Sequence, residues 1–241
     1  YILSGISVGG QYALIAIGYT MVYGILRLIN FAHGDVFMVA GLMMVYLSAA
    51  LPLYLAVPVV ALLTVALGFV IEKIAYKPLR SAPRMSVMIS AIGVSYLLQN
   101  LALYVTGGLN KTYPTIPWIS DQVDLFGATT KRVTLITPVL TIILVILLVQ
   151  LINHTKVGMA MRAVAKDFET SQLMGIKINN IISVTFIIGS FLAAVGSMLY
   201  FSNYPGVVPT SGAMPGLKAF VAAVFGGIGS IPGAVIGAFI I

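Results

Sequence analysis

Arg27, Asn30, His33 and Asp35 fall within nine residues, in the stretch RLINFAHGD, of a chain in which only 8% of residues are charged. A cation, an amide, an imidazole and a carboxylate at this spacing, between two apolar runs, admit two kinds of chemistry. They can finish a helix: Asn30 is a favoured N-cap, Asp35 near a helix N-terminus is stabilised by the dipole, and Arg27 anchors the turn at a water interface. They can instead break a helix and line a path with two ionisable groups, since such groups inside a membrane default to function. A metal site is not expected, because the chain has two histidines and no cysteine.

The elements that must position these groups follow from composition. The chain of 241 residues is 60% hydrophobic and 8% charged, against roughly 25% charged residues in an ordinary soluble domain. The expected fold class is all-α, a polytopic helical transmembrane bundle, because the apolar runs are continuous and do not alternate as in a β-barrel. A bilayer core of ~30 Å needs about 20 helical residues. The spans are expected at 1–26, 31–50, 53–71, 87–105, 133–152 and 181–201, with Pro52 dividing the long uncharged run between Val36 and Ile71. The last run, 219–241, contains GGIGSIPG. Gly226, Gly227, Gly229 and Pro232 predict a broken, re-entrant segment, which is tolerated only when buried in protein or lining a cavity. The whole of 1–241 reads as one transmembrane domain, and as a piece of a longer chain, since it starts at Tyr1 and stops inside an apolar run.

Lys and Arg give the orientation. Loop 72–86 carries Lys73, Lys77, Arg80 and Arg84, and loop 153–180 carries Lys156, Arg162, Lys166 and Lys177. Both are expected in the cytoplasm, which places 27–35 at or near the cytoplasmic face. Loop 106–132, with Tyr113 and Trp118 as an aromatic anchor, falls outside. This distribution follows membrane topology and does not signal nucleic-acid binding. In the loop 153–180, GMAMRAVAKDFETSQLMGI predicts one helix of about four turns ending at Gly175, with Arg162, Lys166 and Glu169 on one stripe and Met161, Val164, Ala165 and Phe168 opposite. Such a helix could dock on another protein or lie against the bilayer.

Three stretches, YALIAIGYTMVYGILRLINFAHGDVFMVAG, MRAVAKDFETSQLMGIKINN and GLKAFVAAVFGGIGSIPGAVIG, resemble in order and spacing the permease subunits of branched-chain amino acid ABC importers, with Asp35 where the best-known members carry Glu. The resemblance implies a second homologous permease, two cytoplasmic ATPase subunits, an extracytoplasmic solute-binding protein and a place in a bacterial or archaeal cytoplasmic membrane. It implies that Arg162, Asp167 and Glu169 touch the ATPase and that Gly175 ends the coupling helix. It also implies that no cofactor binds this chain, ATP and Mg residing on the partners. The sequence agrees, having no Gly-x-x-x-x-Gly-Lys-Ser/Thr stretch and so no phosphate cradle. The expected activity is alternating-access import of a zwitterion with an apolar side chain. Gln11, Asn30, His33, Asp35, Ser95, Gln99 and Asn100 are candidates to line its path, Ser95 and Gln99 sharing a helix face at i, i+4. Taken singly, each of Gln11, Asn30, Ser95, Gln99 and Asn100 reads as interhelical glue, worth ~0.6 kcal/mol on average, before it reads as a substrate contact. The alternatives are a sister permease for urea or short-chain amides, and an ATP-independent channel or secondary carrier, which would have no use for a coupling helix.

Overall fold

A computed structural model describes residues 2–125 and 128–241; Tyr1, the first residue of the expected span 1–26, lies outside them. Among the described residues six helices are long and apolar enough to cross a bilayer. They are α1 (Ile2–Leu26), α2 (His33–Ala50), α3 (Leu53–Ile71, prolonged by a π turn over Glu72–Tyr76 and a 3-10 turn over Lys77–Leu79), α4 (Arg84–Thr106), α6 (Arg132–His154) and α9 (Ile178–Asn203). Between them lie the short α5 (Pro117–Ser120), α7 (Lys156–Lys166) and α8 (Phe168–Leu173), and after them α10 (Ala213–Phe225) and α11 (Ile231–Ile240). The bundle is helical as expected. It adds two small antiparallel pairs that hydropathy did not announce: β1 (Lys111–Thr112) with β4 (Gly206–Val207), and β2 (Gln122–Leu125) with β3 (Ala128–Lys131).

The hub is α1, which packs against α6, α9, α10 and α11. It is buried nearly all round from Gly9 to Val22, as a helix apolar on every face must be. Association in lipid rests on close packing, and small residues supply it here. The Thr141 hydroxyl donates to the Gly10 carbonyl (3.2 Å), and Gly189 of α9 lies against the Gly18 backbone. By contrast α4 and α6 turn Ile89, Leu97, Tyr104, Ile142 and Ile146 outward, the face expected toward lipid.

The two ends differ in charge. One end carries β1–β4, the β2–β3 pair and Lys111, Lys131 and Arg132. The other gathers Arg27, loop 72–86 and the loop holding α7 and α8, and is the end the positive-inside rule assigns to the cytoplasm. At the end that holds the strand pairs Trp118 is exposed as expected of an anchor, but Tyr113 is buried against Phe201, ring centroids 5.8 Å apart.

Candidate functional site: a polar cavity at mid-depth and a two-helix loop element

The chain turns back on itself after α1. Arg27 takes a left-handed conformation (φ 55°), and residues 27–32 run back along α1 before α2 starts at His33. The His33 ring meets Tyr19 edge-on at 5.1 Å, and a Cβ placed on Gly18 would fall on it. Gly18 is the seventeenth of the 25 residues of α1. Asp35 accepts a hydrogen bond from the Ser95 hydroxyl and another from Gln99 Nε2 (2.9 Å). Ser95 is the twelfth of the 23 residues of α4. Both landmarks place His33 and Asp35 near the middle of the bundle, not at the cytoplasmic face where the sequence put them. Nor is Asn30 the helix cap. Ala32 occupies that position without a side-chain bond, while Asn30 Oδ1 accepts from the Tyr76 hydroxyl (2.8 Å).

A cavity of about 300 Å³ opens beside Asp35 between α2, α4 and α10. Gly34, Gly212 and Gly216 form one wall, Tyr19, Phe31 and Phe220 another, and the exposed Tyr96 and Leu217 flank its mouth. Among the described residues Asp35 and Glu72 are the two buried acids. Glu72 is paired with Arg80 and Lys73, whereas Asp35 has no cation within ion-pair distance. A carboxylate in that position can hold a cationic group or a proton.

Of the expected path residues, Asp35, Ser95 and Gln99 converge on the cavity, and His33 lies behind it against Tyr19. Three do not join. Gln11 is buried between α1 and α9, its Nε2 on the Leu199 carbonyl (3.4 Å). Asn30 serves Tyr76. Asn100 is exposed on α4 and bonds its own helix at the Tyr96 carbonyl (2.8 Å), because one residue beyond Gln99 is rotated by about 100° around the helix. Sequence reasoning missed Tyr19, whose neighbours come from α2 and α10, and Lys218, an exposed cation on α10 over the Tyr12 ring (5.6 Å).

The loop 153–180 holds two helices, not one. Asp167 is extended (φ −152°, ψ 114°) and breaks the expected run. Its Oδ1 caps α8 by accepting from the Glu169 and Thr170 amides (3.0 and 3.2 Å). The Thr170 hydroxyl and these amides hold the Asp167 carboxyl below the usual carboxylate range. The break takes Glu169 off the Arg162–Lys166 stripe and leaves Phe168 exposed, while Met161 and Val164 are buried as expected. Thr155 caps α7 (3.1 Å to the Gly158 amide), Arg162 reaches back to the Asn153 carbonyl (3.4 Å), and Arg27 reaches the Ala165 carbonyl in the last turn of α7 (3.5 Å). Gly175 ends α8 in the left-handed conformation (φ 83°), the Ile176 amide closing on the Ser171 carbonyl (3.1 Å). Just before it Leu173 and Met174 stand in solvent, 87% and 79% exposed.

The broken segment is present, and its first half-helix, α10, starts at Ala213, six residues earlier than expected and so takes in Lys218. Gly227 and Gly229 hold φ of 90° and 99° in the turn, and Ser230 caps α11, with Pro232 in its first turn. Gly226 is needed for another reason: a Cβ there would run into the Gly233 carbonyl. Gly227→Ala is therefore expected to cost ~1–2 kcal/mol, the penalty of a left-handed residue in open space. Gly226→Ala must push a pair of backbones apart and is expected to cost more. Thermal unfolding of the two purified variants checks the order.

The family model described as "Branched-chain amino acid transport system / permease component" matches residues 1–241. The chain is 40% identical, over 253 aligned positions covering all of it and 82% of the relative, to the high-affinity branched-chain amino acid transport system permease protein BraD of Pseudomonas aeruginosa. It is 39% identical to the LivH permease proteins of Salmonella typhimurium and of Escherichia coli K12, over 99% of this chain and 82% of each.

Proposed function

The chain belongs to the branched-chain amino acid transport system permease family, and on that premise we propose that it moves branched-chain and other apolar amino acids inward across a bacterial or archaeal cytoplasmic membrane by alternating access, driven by ATP. It is a multi-pass membrane protein and a permease component, not itself the ATPase. ATP and Mg are then handled by two cytoplasmic partners, substrate arrives from an extracytoplasmic binding protein, and a second permease completes the path.

The observation that carries this reading is the family match over the full chain, and two features of the structure support the partners. The α7–α8 element is fixed at its base by Arg27, Arg162 and the buried Met161 and Val164, yet presents Leu173 and Met174 to solvent. A braced lever with an apolar tip suits a moving subunit that grips it. The mouth of the Asp35 cavity and the cation Lys218 both lie on the outer surface of the bundle, on or beside α10. A charge and a polar cavity facing lipid are costly, so a second permease suits that surface.

The test is uptake by proteoliposomes holding the complete complex and binding protein. Labelled leucine should accumulate only with internal ATP, and labelled urea should not. Leucine flux that ignores ATP, or urea uptake in its place, would overturn the reading. In the same vesicles Leu173→Asp is expected to cut ATP-driven leucine uptake at least about tenfold, a charge buried without a partner costing ~1–3 kcal/mol or more, while the melting temperature of the isolated permease stays within a degree or two because the residue is exposed there. Unchanged uptake would show that the tip of α8 is not gripped.

A further inference from the structure

We propose that Asp35 receives the primary ammonium group of the transported solute at mid-membrane depth. This deepens the function proposed above and rests on it for the solute's identity, not for the ammonium group.

The charge on Asp35 is unbalanced. Ser95 donates to one Asp35 oxygen and Gln99 to the other. The carboxylate also sits in the first turn of α2, where the helix dipole favours an anion. These are neutral donors that suit an anion and do not cancel it. Each carboxylate oxygen offers two acceptor sites, so each keeps one for a further donor, and the carboxylate lines the cavity. A buried charge without a partner is costly, and Glu72, the other buried acid among the described residues, has its cations. The space beside Asp35 is shaped for a small amphiphile. About 300 Å³ is at the low end of small-molecule pockets (~300–1,000 Å³). Tyr19, Phe31 and Phe220 give it aromatic walls, which favour both a cation and an apolar side chain, and the glycine wall of Gly34, Gly212 and Gly216 keeps it open. No Lys or Arg lines it, so a solute's own carboxylate is left toward the mouth between α4 and α10. The site thus selects for an ammonium group: amines and amino acids enter, and free carboxylates are repelled.

The absence of cysteine from the chain provides the test. Tyr96→Cys puts one thiol at the mouth, and the mass of this chain in the reconstituted complex reports its modification. A cationic methanethiosulfonate is expected to react roughly tenfold faster than an anionic one, relative to a free thiol, because of the nearby carboxylate. With Asp35→Asn added, that preference should fall close to unity. Leucine and isoamylamine should slow the labelling and isocaproate should not. Asp35→Asn should abolish this protection and Asp35→Glu should keep some of it. No charge preference, or equal protection by isocaproate and isoamylamine, or protection by none of the three, overturns the proposal. These readings need only the Tyr96→Cys protein, so they hold if Asp35→Asn fails to fold. If isoamylamine protects while the unsubstituted complex shows no ATP-driven leucine uptake, the ammonium site stands and the assignment as an amino-acid importer falls.

Discussion

Glu72→Ala is expected to lower stability by about 3 kcal/mol, at the low end of the cost of breaking a buried ion pair. Glu72 is fully buried where α3 passes into its π turn. It accepts from Arg80 on one oxygen and from the Ser183 hydroxyl on the other (2.9 Å), with Lys73 at 3.7 Å. Arg80 also donates to Asn179 at the start of α9. One carboxylate therefore ties the end of α3, the 72–86 loop and the root of α9, next to the α8 lever, whose Phe168 shares a cleft with Arg80. Removing it strands the guanidinium among groups that cannot replace its partner. The low end of the range applies because the Arg80 side chain keeps some contact with water, 19% exposed. For a chain of this size the melting temperature should drop by on the order of 10 °C. Replacing both partners by apolar groups, Glu72→Leu with Arg80→Met, should recover much of the loss, since a buried pair is often matched by well-packed hydrophobes. If the single variant melts with the parent, the pair ties nothing together. If the double variant is no better than the single, the deficit is packing and not charge.

Glu72 shows what the sequence withholds. In EKIAYKPLR it is one acid in a basic loop, and nothing local distinguishes it from a solvated charge. Its burial is decided by α9, more than a hundred residues away. The spans were legible because their apolar length is a local property, and the broken final segment because glycine and proline announce turns wherever they stand. The convergence of Ser95 and Gln99 was legible as a shared face, but the exclusion of Asn100 depends on how α4 is rotated, which its packing partners set. Asp167 is a different case. An Asp followed by Glu169 and Thr170 is a readable cap signal, and it was overridden by an apolar periodicity that happens to continue across the break. The depth of Asp35 could not be read, because Asn30 looks like a cap and the return of the chain along α1 is fixed by contacts of Gly34 with residues near 212.

That contact carries the other large effect. Gly34 at the start of α2 and Gly212 just before α10 meet backbone to backbone. A Cβ on Gly212 would strike the Gly34 carbonyl, and one on Gly34 would lie 2.7 Å from the Gly212 carbonyl. Gly216 is less tight, its added Cβ 3.0 Å from Gly34 Cα and 3.3 Å from the Tyr19 hydroxyl oxygen. Gly93, on α4, faces open space. Overpacking typically costs ~1–3 kcal/mol, and each ~1.4 kcal/mol is a factor of ten. The strain at Gly212→Ala falls one residue from Asp35, so it should be relieved by shifting the start of α2 away from Ser95 and Gln99. Initial leucine uptake per reconstituted complex is then expected to fall roughly a hundredfold for Gly212→Ala and about tenfold for Gly216→Ala. Gly93→Ala should leave it unchanged and, as a better helix former, add up to ~1 kcal/mol of stability. The order of the three matters more than their sizes. In a generally fragile bundle uptake would simply track stability, falling at each position only as far as that variant is destabilised. A site whose geometry depends on the α2–α10 crossing loses uptake at 212 and 216 even where the protein still melts near the parent. Full uptake by Gly212→Ala would mean that the crossing opens freely, and that Asp35 is not held in place by it.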